Sequence, residues 1–393
     1  MHICFLVYRE DNAMVFESQV LEYLERMKDK VENIELIVFR HESNLLHKRM
    51  LEGKMLNYVK ECKTFVSFPP ITEIQLKIDA IRLQKYVQRK YKNKQVAVIC
   101  RGDLAAYLGT YAFRNNHLAR TLYDNRGLSI EESLLSHESS LIHRMNRSVK
   151  KFAVKYAKSH CDAYNFVTNN LRNYDITHYG YSEDIPYTVI PTLIKRECFD
   201  DSELDRIKRN EHYKCDELII TYIGSTAAWQ SIDCILNTIQ QIYNHDKNTR
   251  FFILTNGIVS AIKRLPDELQ NRICVKQVSH DEIKYYLQMT DVGIVMRSDS
   301  IVNKVAAPTK IAELLAAGVQ VLYSGEIGIF SDLRTLRDDL KIINIDTNEN
   351  WLNLLQKKNA VYDASTIVDY FDMDKRQYDT MNLLGECFKN RKN

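Results

Sequence analysis

The segment at residues 291–324 reads DVGIVMRSDSIVNKVAAPTKIAELLAAGVQVLYS. Its apolar runs at 291–296 and 319–324 predict two short strands, separated by a polar loop and a helix. Pro308 is typical of a helix start, and Gly318 is typical of a helix end. A strand, helix and strand in this order are the unit from which parallel α/β sheets are built.

The same alternation of apolar strands and amphipathic helical stretches occurs in both halves of the chain. It predicts an α/β protein with two Rossmann-like domains, each with a doubly wound parallel sheet. The predicted strands are residues 2–7, 34–39, 64–68, 95–100, 119–124, 164–168 and 187–190 in the first half, and 217–224, 250–256, 272–278, 291–296, 319–324 and 340–345 in the second.

A chain of 393 residues is long enough for two domains. The charged stretch at 192–210 is expected to be irregular and to connect them. We therefore predict an N-terminal domain at residues 1–200, a C-terminal domain at 211–368, and a C-terminal helix within 369–393.

Composition excludes several classes of protein. The net charge is only +3, which indicates no general affinity for nucleic acid. The nine cysteines are scattered without a Cys-x-x-Cys pair, as expected for reduced thiols in the cytoplasm. We see no signal peptide, no apolar run of about 20 residues, and no histidine or carboxylate spacing typical of a metal site.

Polar residues collect where the strand at 291–296 ends. Arg297, Asn303, Lys310 and Glu313 are all expected at the carboxyl edge of the sheet, where open α/β sheets bind ligands. Two cations beside a helix N-terminus suit a diphosphate. Glu313 follows Lys310 by three residues, so it shares a helix face with the lysine and could accept hydrogen bonds from ribose hydroxyls.

The pattern Pro308-x-Lys310-x-x-Glu313-x-x-Ala316-x-Gly318 resembles the donor-site signature of family 4 glycosyltransferases, which have the GT-B fold. The resemblance covers nearly the whole chain and implies two domains that face each other across a cleft. It also implies that the C-terminal helix within 369–393 crosses back onto the N-terminal domain. It implies that Lys310 and a partner cation hold the donor diphosphate and that Glu313 binds the ribose. It also implies that Asn303, Pro308 and Thr309 bind the donor beside them. Many members have a second glutamate where this chain has Val305.

The resemblance extends to two further strand ends. It implies that the backbone of Gly224 and Ser225 lies beside the donor phosphates, although the basic residue that often follows is replaced by Gln230. In the first domain it implies that two segments line the acceptor side of the cleft. These contain Arg101 and Gly102, and Asp124 and Arg126.

Two helical stretches, at residues 77–94 and 144–158, are rich in lysine and arginine. Such faces are usually solvated. The alternative is that they rest on an anionic membrane surface, each well-placed cation adding about 1 kcal/mol. An apolar stripe on the second stretch is expected to pack inward.

These features predict a cytoplasmic glycosyltransferase, either free or peripherally bound to the membrane, that moves a sugar from a nucleotide-sugar to a glycan or lipid-linked acceptor. The resemblance implies retention of configuration, no metal or other cofactor, and a role in bacterial surface-polysaccharide synthesis. One alternative is a nucleotide-sugar epimerase of the same architecture, which would need no acceptor. The other is a degenerate, non-catalytic scaffold.

Overall fold

The structure is a computed structural model that describes residues 2–10, 12–41, 45–68, 72–135, 141–196, 199–224, 232–255, 259–358 and 363–389. The chain forms two compact units. The first consists of Met1–Pro191 together with Met373–Asn393, and the second of Thr192–Asp372.

The first unit is built on a parallel sheet with the strand order β3-β2-β1-β4-β5-β6-β7 in its described part. The inner strands are almost wholly apolar and buried, as expected when helices cover both faces of a parallel sheet. The strands are β1 (His2–Tyr8), β2 (Asn33–Arg40), β3 (Glu61–Val66), β4 (Val96–Arg101), β5 (Ala119–Asn125), β6 (Ala163–Phe166) and β7 (Tyr187–Val189).

Helices connect these strands by crossovers. Short π-helical turns at Glu17–Leu21 and Asp175–Tyr179 adjoin two of them. The helices are α1 (Ala13–Phe16), α2 (Glu22–Met27), α3 (Leu45–Met55), α4 (Glu73–Lys90), α5 (Asp103–Phe113), α6 (Ser129–Leu135), α7 (Leu141–His160) and α8 (Asn169–Tyr174).

The second unit has a parallel sheet with the strand order β10-β9-β8-β11-β12-β13 in its described part. Its strands are β8 (Leu218–Ile223), β9 (Thr249–Leu254), β10 (Ile273–Lys276), β11 (Val292–Val295), β12 (Gln320–Tyr323) and β13 (Ile342–Asn344). Its helices are α9 (Asp201–Asn210), α10 (Ile232–His245), α11 (Val259–Ile262), α12 (Asp267–Gln270), α13 (His280–Met289), α14 (Ile301–Lys304), α15 (Thr309–Ala316), α16 (Gly328–Arg334) and α17 (Ser365–Phe371), with a 3-10 turn at Trp351–Leu354.

The last helix, α18 (Met373–Lys389), belongs to the first unit. It packs against α2 and against β5, β6 and β7. The Tyr23 hydroxyl donates to Thr380 Oγ1 at 3.0 Å, and Arg120 Nε donates to the Cys387 carbonyl at 3.0 Å. These contacts fasten the C-terminal helix to the first sheet.

Every predicted strand is found in the structure, and the α/β fold class is confirmed. The prediction of an irregular stretch at 192–210 was wrong over Asp201–Asn210, which form α9. Asp200 caps this helix by accepting hydrogen bonds from the Ser202 and Glu203 amides. Of the helices in the described part of the chain, none is both long enough and apolar enough to span a membrane.

Candidate functional site

In the second unit the strand order reverses between β8 and β11, and the segments that follow these strands lie at the same edge of the sheet. Gly224 directly follows β8 and has a φ of +154°. Its amide donates to the Leu254 carbonyl at 3.4 Å. Ser225, which was predicted to accompany it, lies outside the described residues.

Arg297 lies two residues beyond β11 and is held by both its backbone and its side chain. Its amide donates to Ser324 Oγ at 3.0 Å, and that hydroxyl donates back to the Arg297 carbonyl at 3.2 Å. Its Nη1 donates to Asn303 Oδ1 at 3.4 Å. Burial lowers the pKa of the Arg297 guanidinium to about 10. The arginine is therefore a partly desolvated cation in a fixed position.

Asn303 is 1% exposed and acts within the loop. Its Nδ2 donates to the Ser298 carbonyl at 2.9 Å while its Oδ1 accepts from Arg297. Ser300 caps α14 by accepting a hydrogen bond from the Asn303 amide. Asn303 therefore contacts Arg297 within the loop, and its predicted role in donor binding stays a prediction.

Lys310 lies in the first turn of α15, and its Nζ is 5.1 Å from the ring centroid of Tyr222 on β8. The pKa of Lys310 is lowered well below its usual range, first by burial and then by the positive charge of Arg297. The negative charge of Glu313 opposes this shift. Arg297 and Glu313 are therefore each close enough to Lys310 to act on its charge.

Helix α15 is fixed by close packing and by its start. A Cβ added to Gly293 on β11 would lie 2.3 Å from Leu314 Cδ2, so the helix lies directly on that strand. Pro308 precedes the helix and accepts a hydrogen bond from the Ile311 amide at 3.0 Å. The first amides of a helix have no carbonyl partner within it, so those of Thr309 and Lys310 mark a position suited to an anion.

Val305 is 2% exposed and lies in the core of the second unit. A Cβ added to Gly328 would lie 2.6 Å from the Lys304 carbonyl oxygen and 2.8 Å from the Val305 carbonyl carbon. The backbone around Val305 is thus packed directly against α16. Residue 305 therefore packs within the second unit.

In the first unit the strand order reverses between β1 and β4, and Arg101 ends β4 at that point. Its Nη1 lies 3.6 Å from Asp124 Oδ2, and its Nε lies 3.9 Å from Glu10 Oε2. Burial and the nearby charge of Arg126 lower the pKa of Arg101 to about 10. The site thus contains two arginines that share one carboxylate.

Asp124 is the centre of this cluster. Its Oδ1 accepts from Asn165 Nδ2 at 2.6 Å and from Arg126 Nη1 at 3.4 Å. Gly102 has a φ of +82°, and its amide donates to the Asp124 carbonyl at 2.9 Å. The structure therefore brings together Arg101, Gly102, Asp124 and Arg126, the four residues that the sequence predicted for the acceptor side.

Sequence reasoning missed Glu10, Asn165 and Tyr222. Glu10 follows β1 at the same edge of the sheet as Arg101, and Asn165 is a polar residue inside the short strand β6. Tyr222 is one of two polar residues in the otherwise apolar strand β8. A polar side chain within a buried strand was the available signal for the last two.

Within the described ranges, no group of three or more His, Cys, Asp and Glu side chains is arranged to hold a metal ion.

No family model matches this chain, and no curated protein matches it. Several solved structures of glycosyltransferases are similar over their full length. A glycosyltransferase from Rickettsia africae has a TM-score of 0.69 and 14% identity, with 99% of each chain covered.

Anabaena HepE in complex with UDP has a TM-score of 0.67 and 13% identity, covering 98% of this chain and 100% of that one. Sucrose-phosphate synthase from Thermosynechococcus elongatus has a TM-score of 0.65 and 12% identity, covering 99% and 100%. The chain therefore has the GT-B fold of these glycosyltransferases.

Proposed function

We propose that this protein is a retaining glycosyltransferase that moves a sugar from a nucleotide-sugar donor to a glycan or lipid-linked acceptor without a metal ion. The observation that carries the proposal is the meeting of Arg297 and Lys310 with Glu313 at the strand reversal of the second sheet. Two cations and one carboxylate at a helix start match a diphosphate joined to a ribose.

The chemistry follows from these charges. Cleavage of the bond between the sugar and the diphosphate leaves negative charge on the departing group. Arg297, Lys310 and the first amides of α15 stabilise that charge as it develops, which lowers the barrier because they are already in place. Burial and Arg297 lower the pKa of Lys310, and an anion bound beside it would raise that pKa again, so the site favours a negatively charged occupant.

The remaining residues position the donor. Asn303 holds the Arg297 guanidinium, and Glu313 accepts hydrogen bonds from the ribose. Pro308 sets the start of α15 and Thr309 offers a backbone amide there. The backbone of Gly224, which directly follows β8, approaches the phosphates from the end of that strand.

On the first unit, the cluster of Arg101, Gly102, Asp124 and Arg126 binds the acceptor. The paired arginines and the carboxylate can hold several hydroxyl groups or a phosphate at once. We place the enzyme in bacterial surface-polysaccharide synthesis, in the cytoplasm and at the inner face of the plasma membrane.

The experiment is mass-spectrometric detection of nucleoside diphosphate released from UDP-, GDP-, ADP- and CMP-sugars, with EDTA present. UDP-sugars are tried first because HepE binds UDP and UDP-glucose. Wild type is compared with Arg297→Ala and Glu313→Ala. Arg264→Ala and Glu268→Ala serve as matched controls because both residues are exposed. Glu268 lies on α12 and Arg264 lies just before it, so both are outside the site.

We expect slow release from one donor, lost in both site variants and kept in both controls. NMR of the first-formed product then tests whether the anomeric configuration is retained. Conversion of a nucleotide sugar without any acceptor would favour the epimerase instead. Absence of both turnover and binding for every donor would contradict the proposal.

A further inference from the structure

Helix α7 concentrates the positive charge of the chain. It carries no Asp or Glu, whereas the net charge of all 393 residues is only +3. Its lysines and arginines are Arg144, Arg147, Lys150, Lys151, Lys155 and Lys158.

Three of these cations, Arg144, Lys151 and Lys155, lie on the exposed face of the helix. Among the described residues, none of the three forms an ion pair with a carboxylate. Lys150 and Lys158 donate to the backbone carbonyls of Ser129 and Tyr179, and the charge of Lys150 also acts on the Glu132 carboxyl, so these two lysines add less to the exposed charge. The exposed face is therefore a surface of unneutralised positive charge.

Beyond the first turn, the apolar stripe of α7 packs inward as the sequence predicted, but the prediction was wrong at Leu141, the first residue of the stripe, which is exposed. Val149 and Ala153 are buried, and the rings of Phe152 and Tyr156 lie about 5 Å from the ring of Tyr107 on α5, at 5.1 and 4.9 Å between centroids. This stripe is already covered and cannot contact an outside partner.

The first turn of α7 is different, because it exposes two large apolar side chains. Leu141 is 70% exposed and Ile142 is 57% exposed. On the preceding helix α6, which contacts α7, Leu134 is 54% exposed. Scattered exposed apolar residues are ordinary, but these three belong to two contacting helices and adjoin the basic face.

Helix α4 repeats the arrangement. In its first two turns Ile74 is 72% exposed and Ile78 is 53% exposed, with the exposed Lys77 between them. Helices α4 and α7 both pack against α5. Each leads to the amino end of a parallel strand, so both helices begin at the carboxyl edge of the first sheet.

We propose that this face of the first unit docks on a bilayer containing anionic phospholipid. The exposed side chains at the starts of α4 and α7 enter the interface between head groups and acyl chains, and the cations of α7 contact the lipid phosphates. Apolar residues beside a basic face are typical of proteins that lie on a membrane without spanning it. A nucleic acid would neutralise the charge but would gain little from exposed leucine and isoleucine.

Membrane docking adds a partner to the function proposed above. Only the idea that the bilayer presents a lipid-linked acceptor rests on that function. Arg101 and Asp124 lie at the same carboxyl edge of the first sheet as the starts of α4 and α7. A bilayer docked at this edge would present lipid-linked acceptors to the acceptor cluster.

The test is co-sedimentation of the full chain with sucrose-loaded vesicles, without any donor. Vesicles of pure phosphatidylcholine are compared with vesicles in which part of that lipid is replaced by phosphatidylglycerol. Because the readout is binding, it can fail while glycosyl transfer survives, and it can succeed even if the protein transfers no sugar.

Two variants and one matched control are measured. The first variant is Arg144→Glu with Lys151→Glu and Lys155→Glu, and the second is Leu141→Ser with Ile142→Ser. The control makes the same total charge change at the exposed lysines of the second unit, as Lys214→Glu, Lys247→Glu and Lys263→Glu. All the substituted side chains are exposed, so none of the variants should lose its fold. Circular dichroism checks that each variant is folded.

We expect wild type and the control to bind the anionic vesicles and to bind phosphatidylcholine vesicles at least tenfold more weakly. The charge variant should lose on the order of fivefold for each reversed cation. The apolar variant should lose affinity for anionic vesicles at high salt, where charge is screened. The proposal would be overturned by any of three results. Wild type could bind both kinds of vesicle equally, the control could lose as much affinity as the charge variant, or duplex RNA could displace the bound vesicles.

Discussion

The ammonium group of Lys310 lies 5.1 Å from the ring centroid of Tyr222. The two residues are 88 positions apart, and they meet because β8 and β11 are neighbours in the second sheet. The Lys310 ammonium group is also buried, which lowers its pKa. This geometry and the nearby Arg297 determine how the site should respond to pH.

We predict that donor binding takes up a proton at Lys310. Burial and Arg297 lower the pKa of this lysine in the unoccupied site, and a bound diphosphate would raise it again. Affinity should therefore fall as pH rises through the lowered pKa, because the protonated form binds. Calorimetric titration of the nucleotide-sugar at pH 8–9.5, in buffers with different ionisation enthalpies, measures the uptake.

Lys310→Arg is the control for this prediction. A guanidinium remains protonated in this range, so the variant should bind donor without proton uptake. Uptake that persists in Lys310→Arg would assign the proton to another group.

A second prediction concerns stability without ligand. A lysine with a lowered pKa costs folding free energy at low pH, and the cost is relieved as pH rises through that pKa. Lys310→Met should therefore stabilise the unoccupied protein by about 1 kcal/mol at neutral pH, or about 2–4 °C in Tm, while abolishing donor binding. The gain should shrink as pH rises, and a Tm at or below that of wild type at pH 7 would contradict this account.

A third prediction concerns the loop that carries Arg297. Gly325 has a φ of +73°, and a Cβ there would lie 2.9 Å from the Arg297 carbonyl oxygen. Gly325→Ala should destabilise the second unit by about 2 kcal/mol and weaken donor binding, because the backbone at Arg297 must shift. Thermal unfolding and nucleotide binding measure the two effects.

The matched control is Gly385→Ala. Gly385 lies inside helix α18, with open space where a Cβ would be. This change should be neutral or should stabilise the helix by up to about 1 kcal/mol. If both variants had the same Tm, the close approach of Gly325 to Arg297 would be unimportant.

A fourth prediction concerns Asp175, which is 1% exposed and accepts from Asn125 Nδ2 at 2.6 Å. Burial raises the pKa of Asp175 to about 8. Since the unfolded carboxyl ionises near pH 4, the folded state binds one more proton between about pH 4 and 8. Stability should therefore fall as pH rises through that window and level off above it.

Asp175→Asn tests this directly, because the amide oxygen can still accept from Asn125. The variant should resemble wild type near pH 4 and be more stable by a few kcal/mol at pH 8. A stability difference that did not change between pH 5 and 8 would show that Asp175 is ionised in the folded protein.

Much of the fold was predictable because apolar strands and helix boundaries are local signals. The strands at 2–7 and 291–296 were predicted to within one residue at each end. The largest error is at β3, which was predicted at 64–68 but spans Glu61–Val66. It is an edge strand with a half-exposed face, so its first residues, Glu-Cys-Lys, form no apolar run.

The site was predictable only where its residues lie close together in the sequence. Arg297, Lys310 and Glu313 belong to one segment, so helix spacing and strand order indicated their grouping. Tyr222 and Asn165 come from other strands, and their places depend on which strands are neighbours. The burial of Val305 could not be predicted from the sequence either, because it follows from the close approach of Gly328 rather than from any local pattern.

The most direct test of the central claim is calorimetric binding of nucleoside diphosphates and the matching monophosphates to wild type, Arg297→Ala and Glu313→Ala. The account predicts that wild type prefers one diphosphate over its monophosphate by at least tenfold. Arg297→Ala should lose that preference, whereas Glu313→Ala should weaken both ligands alike. If no nucleotide binds, or if neither substitution changes the affinities, then the strand reversal of the second sheet is not a nucleotide-sugar site.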